Sequence, residues 1–430
     1  MNQTELYVSL DIGSSSIKVL IGEMTNGSLN VIGVGNVKSN GIRKGAIVDI
    51  DATVQSIKKA IEQAERMIGM SINEVVLGIP ANQAMLHHVK GVVAVNSENR
   101  EITDDDLDRV IESAQVMSIP PERELVNLVP KQFIVDHLDE IKDPRGMIGI
   151  RLEMDGTMLT TSKTILHNVL RCVERAGLQI REIYLQPLAS GYFALSEDEK
   201  NHGTAFIDIG GGSTTIAIFQ EGHLTHTSVL PVGGDHLTKD LSIILKTPTE
   251  QAEKIKHQYG HAFYDDASDD ELFEVPVIGA DMKEQYSQRY ISEIIGVRLE
   301  ELFELVLEEF YRMGLQDLPG GVVISGGVAK LEGLTQLARH ILQTRVRLYT
   351  PEYIGVREAS YATAVGLIRY AHMEDQFYNR LGGSSALGQS KKPEHSSPVP
   401  KKQKHSNNVN EEDKESVMGK ARKFLDKFFE

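Results

Sequence analysis

The feature that most constrains this 430-residue chain is a pattern that occurs twice, about 197 residues apart. From Leu6 to Ile12 apolar residues alternate with polar ones, the chain turns through Asp11-Ile12-Gly13-Ser14-Ser15-Ser16, and the alternation resumes at Ile17, Val19 and Ile21. Period-two alternation broken by a short Gly/Ser turn reads as strand, tight turn and strand. From Ala205 to Phe219 the same arrangement recurs around Asp208-Ile209-Gly210-Gly211-Gly212-Ser213. A third strand is expected to open after each hairpin, at Gly27-Ser28-Leu29 and at Gly222-His223-Leu224. Two copies of one βββ unit predict a duplicated, two-lobed α/β molecule.

Such turns have a definite chemistry. Gly and Ser let successive backbone N–H groups point into one concavity, let the main chain approach an anion closely, and add hydroxyl donors. A single turn of this kind is an ordinary tight turn, whereas a matched, facing pair can grip a polyphosphate from both sides. The candidate phosphate-binding residues are Gly13, Ser14, Ser15, Gly210, Gly211, Gly212 and Ser213, with Lys18 within reach as a point charge. Asp11 and Asp208 open the turns and would repel phosphate oxygens, so their expected role is to hold Mg²⁺ through water. A third element suits the same ligand: Gly320-Gly321, an apolar strand over Val322–Ile324, then Ser325-Gly326-Gly327 and a helical pattern through Leu331 and Leu334 to Leu342. Gly326 and Gly327 would let a flat ring such as adenine lie against backbone.

Charge separates the chain into a body and a tail. The whole carries 45 basic and 61 acidic side chains, net −16, yet from Gln389 onward ten basic residues face seven acidic ones. An acidic body argues against nucleic acid as a partner. The tail, rich in Ser, Pro, Lys, His, Asn and Glu, is expected to be a disordered linker over 379–415. Apolar residues then return at helical spacing over 416–430, with Met418, Phe424, Leu425, Phe428 and Phe429 among Lys420, Arg422, Lys423 and Lys427. This predicts a short amphipathic helix for an anionic membrane surface, a partner protein or the chain's own body, the membrane fitting the cations best. Cys172 is alone, which excludes an intramolecular disulfide and suits a reducing compartment; it reads as a small buried apolar residue. No basic segment followed by an apolar stretch opens the sequence, and charge interrupts every apolar run, so neither a signal peptide nor a membrane-spanning helix is expected.

Two phosphate hairpins followed by a Ser-Gly-Gly strand-to-helix junction resemble the actin, Hsp70 and sugar-kinase superfamily. Within it the chain is similar to the FtsA family of bacterial division proteins over essentially the whole body and again at the tail. The stretches that carry this likeness are 7–15, Lys163 to Asn168 leading to Cys172-Val173-Glu174, 207–215, 256–260 and the linker with its helix. The resemblance implies a two-lobed actin-like, ribonuclease H-like fold with a duplicated βββαβα core. The implied organisation is a first-lobe core (1–83 and 163–190) carrying an inserted subdomain (84–162). A second-lobe core (191–226 and 310–378) carries its own subdomain (227–309), with the last body helix expected over Ala362–Met373. ATP and Mg²⁺ are the implied cofactors.

Position by position, Gln186 in Gln186-Pro187-Leu188-Ala189 matches the residue that orients the attacking water, although a polar helix start beside a proline would look the same. A neutral Gln accepts a proton poorly, so hydrolysis is expected to be slow. Glu253 and Lys256 match ribose contacts, and equally fit a solvated helix face with salt-bridge spacing. Arg298 matches the residue that pairs with an acidic side chain of the C-terminal peptide of FtsZ, the tubulin-like division protein; otherwise it is an exposed helical Arg. Self-association into filaments, contacts with other division proteins and a place at the septum, on the cytoplasmic face of the membrane, are implied as well. Three functions compete: an ATP-dependent membrane scaffold, a soluble kinase or phosphatase of the same fold, and an Hsp70-like chaperone. A soluble enzyme has no use for the tail, and a chaperone needs a substrate domain for which too few residues follow the last body helix. An actin-like pilus-assembly protein is the remaining alternative.

Overall fold

The computed structural model describes residues 5–116, 118–279, 283–315 and 317–379. They form two compact units, a larger one of residues up to 89, 117–131 and 156–375, and a smaller one built mainly from 90–116 and 132–155.

The larger unit opens with an antiparallel meander of β1 (Glu5–Ile12), β2 (Ser16–Thr25) and β3 (Ser28–Lys38). A miniature hairpin, β4 (Ile42–Arg43) and β5 (Ala46–Ile47), leads into α1 (Ile50–Ile68). That helix starts where the Asp49 carboxylate accepts the Ala52 N–H and stops at Gly69, whose φ of 70° a side chain would strain. Val54, Ile57, Ala60, Ile61 and Ala64 form its buried stripe. The stripe packs so closely on β3 that a Cβ at Gly35 would lie 2.0 Å from the Ala60 carbonyl oxygen. Strand β6 (Glu74–Ile79) then runs parallel to β1.

The chain next builds a separate sheet from β7 (Met85–Ala94), β8 (Arg123–Val135), β9 (Leu138–Ile141) and β10 (Arg151–Ser162), in the order β7-β10-β8-β9, with α2 (Asp104–Ala114) between its first two strands. Leu107, Val110, Ile111 and Ala114 are the buried face of α2, and Gly91 admits the Val110 carbonyl where a Cβ would clash.

After α3 (Lys163–Arg175), β11 (Gln179–Leu185) completes the first-lobe sheet in the order β11-β6-β1-β2-β3. Cys172 is buried on α3, as its expected apolar role requires. Helices α4 (Gln186–Ala194) and α5 (Glu197–His202) lead to the second meander of β12 (Thr204–Ile209), β13 (Thr214–Gln220) and β14 (His223–Leu230). Then follow α6 (Gly234–Ile244), α7 (Thr249–Tyr259), the hairpin β15 (Leu272–Pro276) and β16 (Lys283–Ser287), and α8 (Gln288–Arg312). Strand β17 (Gly321–Ser325), α9 (Leu334–Leu342), β18 (Val346–Leu348) and α10 (Ala362–Asn379) close the lobe. The second sheet reads β14-β13-β12-β17-β18. Strand for strand this is the first sheet again: an antiparallel meander extended, on the outer side of its first strand, by two further strands in parallel.

Two helices cross between the sheets. α4, which ends the first repeat, packs on the second sheet through Gly191, where a Cβ would lie 2.5 Å from the Phe219 ring. α10, which ends the second, packs on the first: the Ser9 hydroxyl donates to the Ala364 carbonyl at 2.8 Å. They meet where a Cβ at Gly366 would lie 2.7 Å from the Ala189 carbonyl oxygen.

The expected end of α10 at Met373 is corrected, since the helix runs on to Asn379. The acidic pair just past Met373 faces inward: Glu374 accepts from the Tyr184 hydroxyl at 2.9 Å, and Asp375 from the Tyr7 hydroxyl at 2.8 Å and from Arg181 at 2.5 Å. Asn379, expected in the linker, is therefore helical. The remainder of that linker and the expected amphipathic helix, with Met418, Lys420, Arg422, Lys423, Phe424, Leu425, Lys427, Phe428 and Phe429, lie outside the described residues.

Candidate nucleotide site

The two sequence-predicted turns face each other across one cavity of about 160 Å³. Each is closed by the same hydrogen bond, Gly13 N–H to the Ser16 carbonyl at 3.1 Å and Gly210 N–H to the Ser213 carbonyl at 3.0 Å. The lobes come together closely here. A Cβ at Gly211 would lie 1.7 Å from Ser15 Oγ, and one at Gly212 would lie 2.8 Å from Ser14 Cβ. Only glycines permit this approach. The turn serines are held too: Gly45 N–H donates to Ser14 Oγ at 2.9 Å, and Ser15 Oγ donates to Asp235 at 3.3 Å.

At the cavity floor Asp11 accepts from Gln186 Nε2 at 2.8 Å, and Lys18 Nζ lies 4.0 Å from its other oxygen. Burial raises the Asp11 pKa, opposed by the Lys18 charge and the Gln186 hydrogen bond. Asp208 is pushed up to about 6, first by burial and then by the negative charge of Asp11, with Lys18 opposing. Two desolvated carboxylates that repel each other favour a cation between them. Among the described residues no three His, Cys, Asp or Glu side chains gather as a metal cage. The pair therefore fits Mg²⁺ held largely by water and phosphate, and not an all-protein site.

Gly326 and Gly327 line the cavity as expected. Gly326 has φ 92°, and a Cβ there would fall 2.4 Å from the Ile209 carbonyl oxygen, whereas Gly327 faces open space. Glu253 and Lys256 are not among the lining residues. Lys256 is buried and donates to Glu253 at 2.7 Å, to the Thr238 hydroxyl at 2.8 Å and to the Gly234 carbonyl at 3.2 Å. Burial alone would raise the Glu253 pKa; hydrogen bonds from His257, Lys256 and Thr238, with the Lys256 charge, outweigh it and hold the group down at about 2. These two residues brace the start of α6, and contact with a ribose would require them to exchange partners. Arg298 lies apart on α8, paired with Asp240 of α6 at 2.6 and 3.2 Å and with Glu301.

Sequence reasoning missed Ser190, Thr215, Ser360 and Thr363, which also line the cavity, and Asp235, which accepts from the lining residue Ser15. Thr215 was findable, because it occupies across from Asp208 the position that Lys18 occupies across from Asp11. The others carry no local signal.

A duplicated five-stranded α/β core with a Gly/Ser turn and a desolvated carboxylate in each half defines an actin-like protein. Solved structures agree: a chain of the PilM-PilN type IV pilus biogenesis complex superposes with a TM-score of 0.58 at 17% identity, covering 84% of this chain and 97% of its own. MreB5 of Spiroplasma citri bound to ADP gives 0.54 at 14% identity, covering 87% and 99%. At such identities the likeness is one of fold. A family model described as cell division protein FtsA matches residues 205–366, and one described as an SHS2 domain inserted in FtsA matches 81–160. The cell division protein FtsA of Bacillus subtilis (strain 168) is 58% identical over 371 residues, 86% of this chain and 84% of its own length. The chain belongs to the FtsA family of cell division proteins.

Proposed function

We propose that this chain is an ATP-binding scaffold of bacterial cell division that polymerises and ties a ring of FtsZ to the cytoplasmic membrane. The observation that carries the reading is the pair of desolvated carboxylates, Asp11 and Asp208, beneath two facing Gly/Ser turns. The ADP-bound state of the MreB5 neighbour supports a nucleotide there. Backbone N–H groups of Gly13 and Gly210–Gly212, with the Ser14, Ser15 and Ser213 hydroxyls, would hold the phosphates, and Lys18 would add a positive charge. Asp11 and Asp208 would hold Mg²⁺ through water, which supplies charge neutralisation at the phosphates. Gln186 donates to Asp11, so its amide oxygen is left to orient a water without taking its proton, consistent with slow hydrolysis.

Binding that favours the closed relation of the lobes would fix the orientation polymer contacts need. Among the described residues no helix is long and apolar enough to cross a membrane, so attachment is assigned to the amphipathic segment 416–430. Each half-inserted apolar side chain contributes about 1 kcal/mol and each cation near an anionic leaflet about 1 kcal/mol, largely offset by ordering the helix. One copy would bind weakly and a polymer strongly. On α8, Arg298 would trade Asp240 for an acidic group of the FtsZ C-terminal peptide, and the assembled scaffold would recruit further division proteins.

The test is flotation on anionic liposomes of the full chain and of a chain ended before Ser416, each with and without ATP·Mg²⁺, beside calorimetric titration of ATP. The expected result is ATP-strengthened flotation of the full chain only. Absence of ATP binding, or equal flotation of both chains, would overturn it.

A further inference from the structure

We propose that Asp235 is a latch between the lobes, occupying the Ser15 hydroxyl until a phosphate oxygen of a nucleotide takes its place. The inference rests on the nucleotide reading of the cleft and adds a residue that senses its occupancy. Asp235 is the second residue of α6, and that helix start rides on the second turn: Gly234 N–H donates to the Gly210 carbonyl at 3.0 Å and Asp235 N–H to the Gly211 carbonyl at 2.9 Å. The carboxylate thus belongs rigidly to the second lobe. It nevertheless accepts the Ser15 hydroxyl, in the phosphate turn of the first lobe, at 3.3 Å. The contact requires a glycine at 211, because a Cβ there would overlap Ser15 Oγ at 1.7 Å and stand 2.9 Å from Asp235 Oδ1.

The neighbouring serine gives the contrast. Ser14 Oγ accepts from Gly45 N–H at 2.9 Å, which uses a lone pair and leaves its proton free for an incoming anion. Ser15 has committed its one proton to Asp235. Before Ser15 can donate to a phosphate, that contact must break, and a phosphate arriving beside the carboxylate is itself repelled by it. Asp235 and the phosphate therefore compete for one donor: the carboxylate bridges the lobes when the cleft holds no anion, and a bound anion makes the bridge instead. This competition would make closure in the two states chemically distinct, one tied through Asp235 and one through the nucleotide.

Five full-length chains decide the matter: wild type, Asp235→Ala, Asp235→Asn, Ser15→Ala and the double variant Ser15→Ala/Asp235→Ala. Hydrogen exchange of the two turns is measured without nucleotide, and affinity for ADP and ATP by titration with and without Mg²⁺. The latch predicts faster exchange at 13–16 and 210–213 in both Asp235→Ala and Ser15→Ala, with no further increase in the double variant. It also predicts opposite effects on affinity, a gain of about threefold to tenfold for Asp235→Ala and a loss for Ser15→Ala. Asp235→Asn keeps an acceptor for Ser15 while removing the charge, so exchange near wild type with raised affinity is expected, which guards against a folding defect in the alanine variant. Loss of affinity in Asp235→Ala would make Asp235 part of the nucleotide machinery and overturn the proposal, as would unchanged exchange in both single alanine variants. If the wild type binds no nucleotide, the functional reading fails, and the exchange data still decide whether the lobes are latched.

Discussion

In the first lobe Asp11 sits across its hairpin from Lys18, and in the second Asp208 sits across from Thr215, at the same register of the same antiparallel pair. The parallel neighbour on the other side is Gly78 in one case and Ser325 in the other. Backbone geometry has been kept through the duplication while the side chains have diverged into separate tasks. The first half brings two turn hydroxyls, a cation and the amide of Gln186; the second brings three glycines with the Ser213 hydroxyl, and its carboxylate is left facing the charge of Asp11 with no cation across the strand pair. A symmetric fold thus makes an asymmetric site, and the asymmetry lets one lobe press against the other: serines of one turn occupy the space that side chains on the other would need.

The sharpest way to break this division of labour is to swap bulk between the turns. Gly211→Val is expected to lower ATP affinity at least about 100-fold, because its side chain must displace Ser15, whereas Ser15→Gly should lower it only about threefold to tenfold. Equal losses by titration would mean that the turns are interchangeable.

Next in size are the two carboxylates in the ligand-free protein. Burial raises the Asp11 pKa too, but Lys18 and Gln186 oppose it, so Asp11→Asn, which also removes the nearest carboxylate from Lys18, should change stability in urea by less than about 1 kcal/mol. Asp208→Asn should act more strongly. Its pKa is raised from 3.8 to about 6, so the folded state holds the proton more tightly and stability falls as pH rises through that window. Above pH 7 the penalty is complete, and the amide should raise stability by about 1 kcal/mol. A loss for Asp208→Asn would sink the claim that Asp208 is held under repulsion.

The smallest effects contrast the lobes away from the cleft. At the base of the first lobe, burial pushes Glu182 up to about 7 and Glu374 up to about 8, helped for both by neighbouring carboxylates. Both raised groups make stability fall as pH climbs from about 5 to 8, and Glu374→Gln should flatten that slope. In the second lobe Glu253 is held at about 2, so its contribution is present above its ordinary value of 4.5 and lost as pH falls toward 2. Glu253→Gln should remove part of the acid limb and leave the alkaline one untouched. Thermal melts between pH 3 and 9 would check both, and a single shared limb would contradict the contrast.

What could be read from sequence follows from range. The turns, the onset of the third strand in each repeat and the Ser-Gly-Gly junction are local chain chemistry, set by residues a few positions apart, and all three appear where expected. Asp235, Ser190, Ser360 and Thr363 reach the cleft through tertiary packing of distant helices, so no pattern around them marks their role. The end of α10 lies beyond the expected Met373 for the same reason: Glu374 and Asp375 are held by Tyr184, Tyr7 and Arg181, all distant in the chain. Glu253 and Lys256 pair with each other at the salt-bridge spacing visible in sequence, whereas their further partners Thr238 and Gly234, and Asp240 opposite Arg298, come from α6 and carry no local signal.

The crossing of α10 onto the first sheet has a consequence for how the molecule is made. Tyr7 and Asp375, hydrogen-bonded at 2.8 Å, are 368 residues apart in the chain. During synthesis the N-terminal lobe emerges first, yet the face of its sheet that takes Ala364 and Asp375 stays uncovered until nearly the whole body has left the ribosome. Such separated contacts close late and slowly. A nascent chain stopped at the end of the first repeat would be half a domain with an open apolar face: the first lobe awaits α10, whereas α4 is already made when the second lobe emerges.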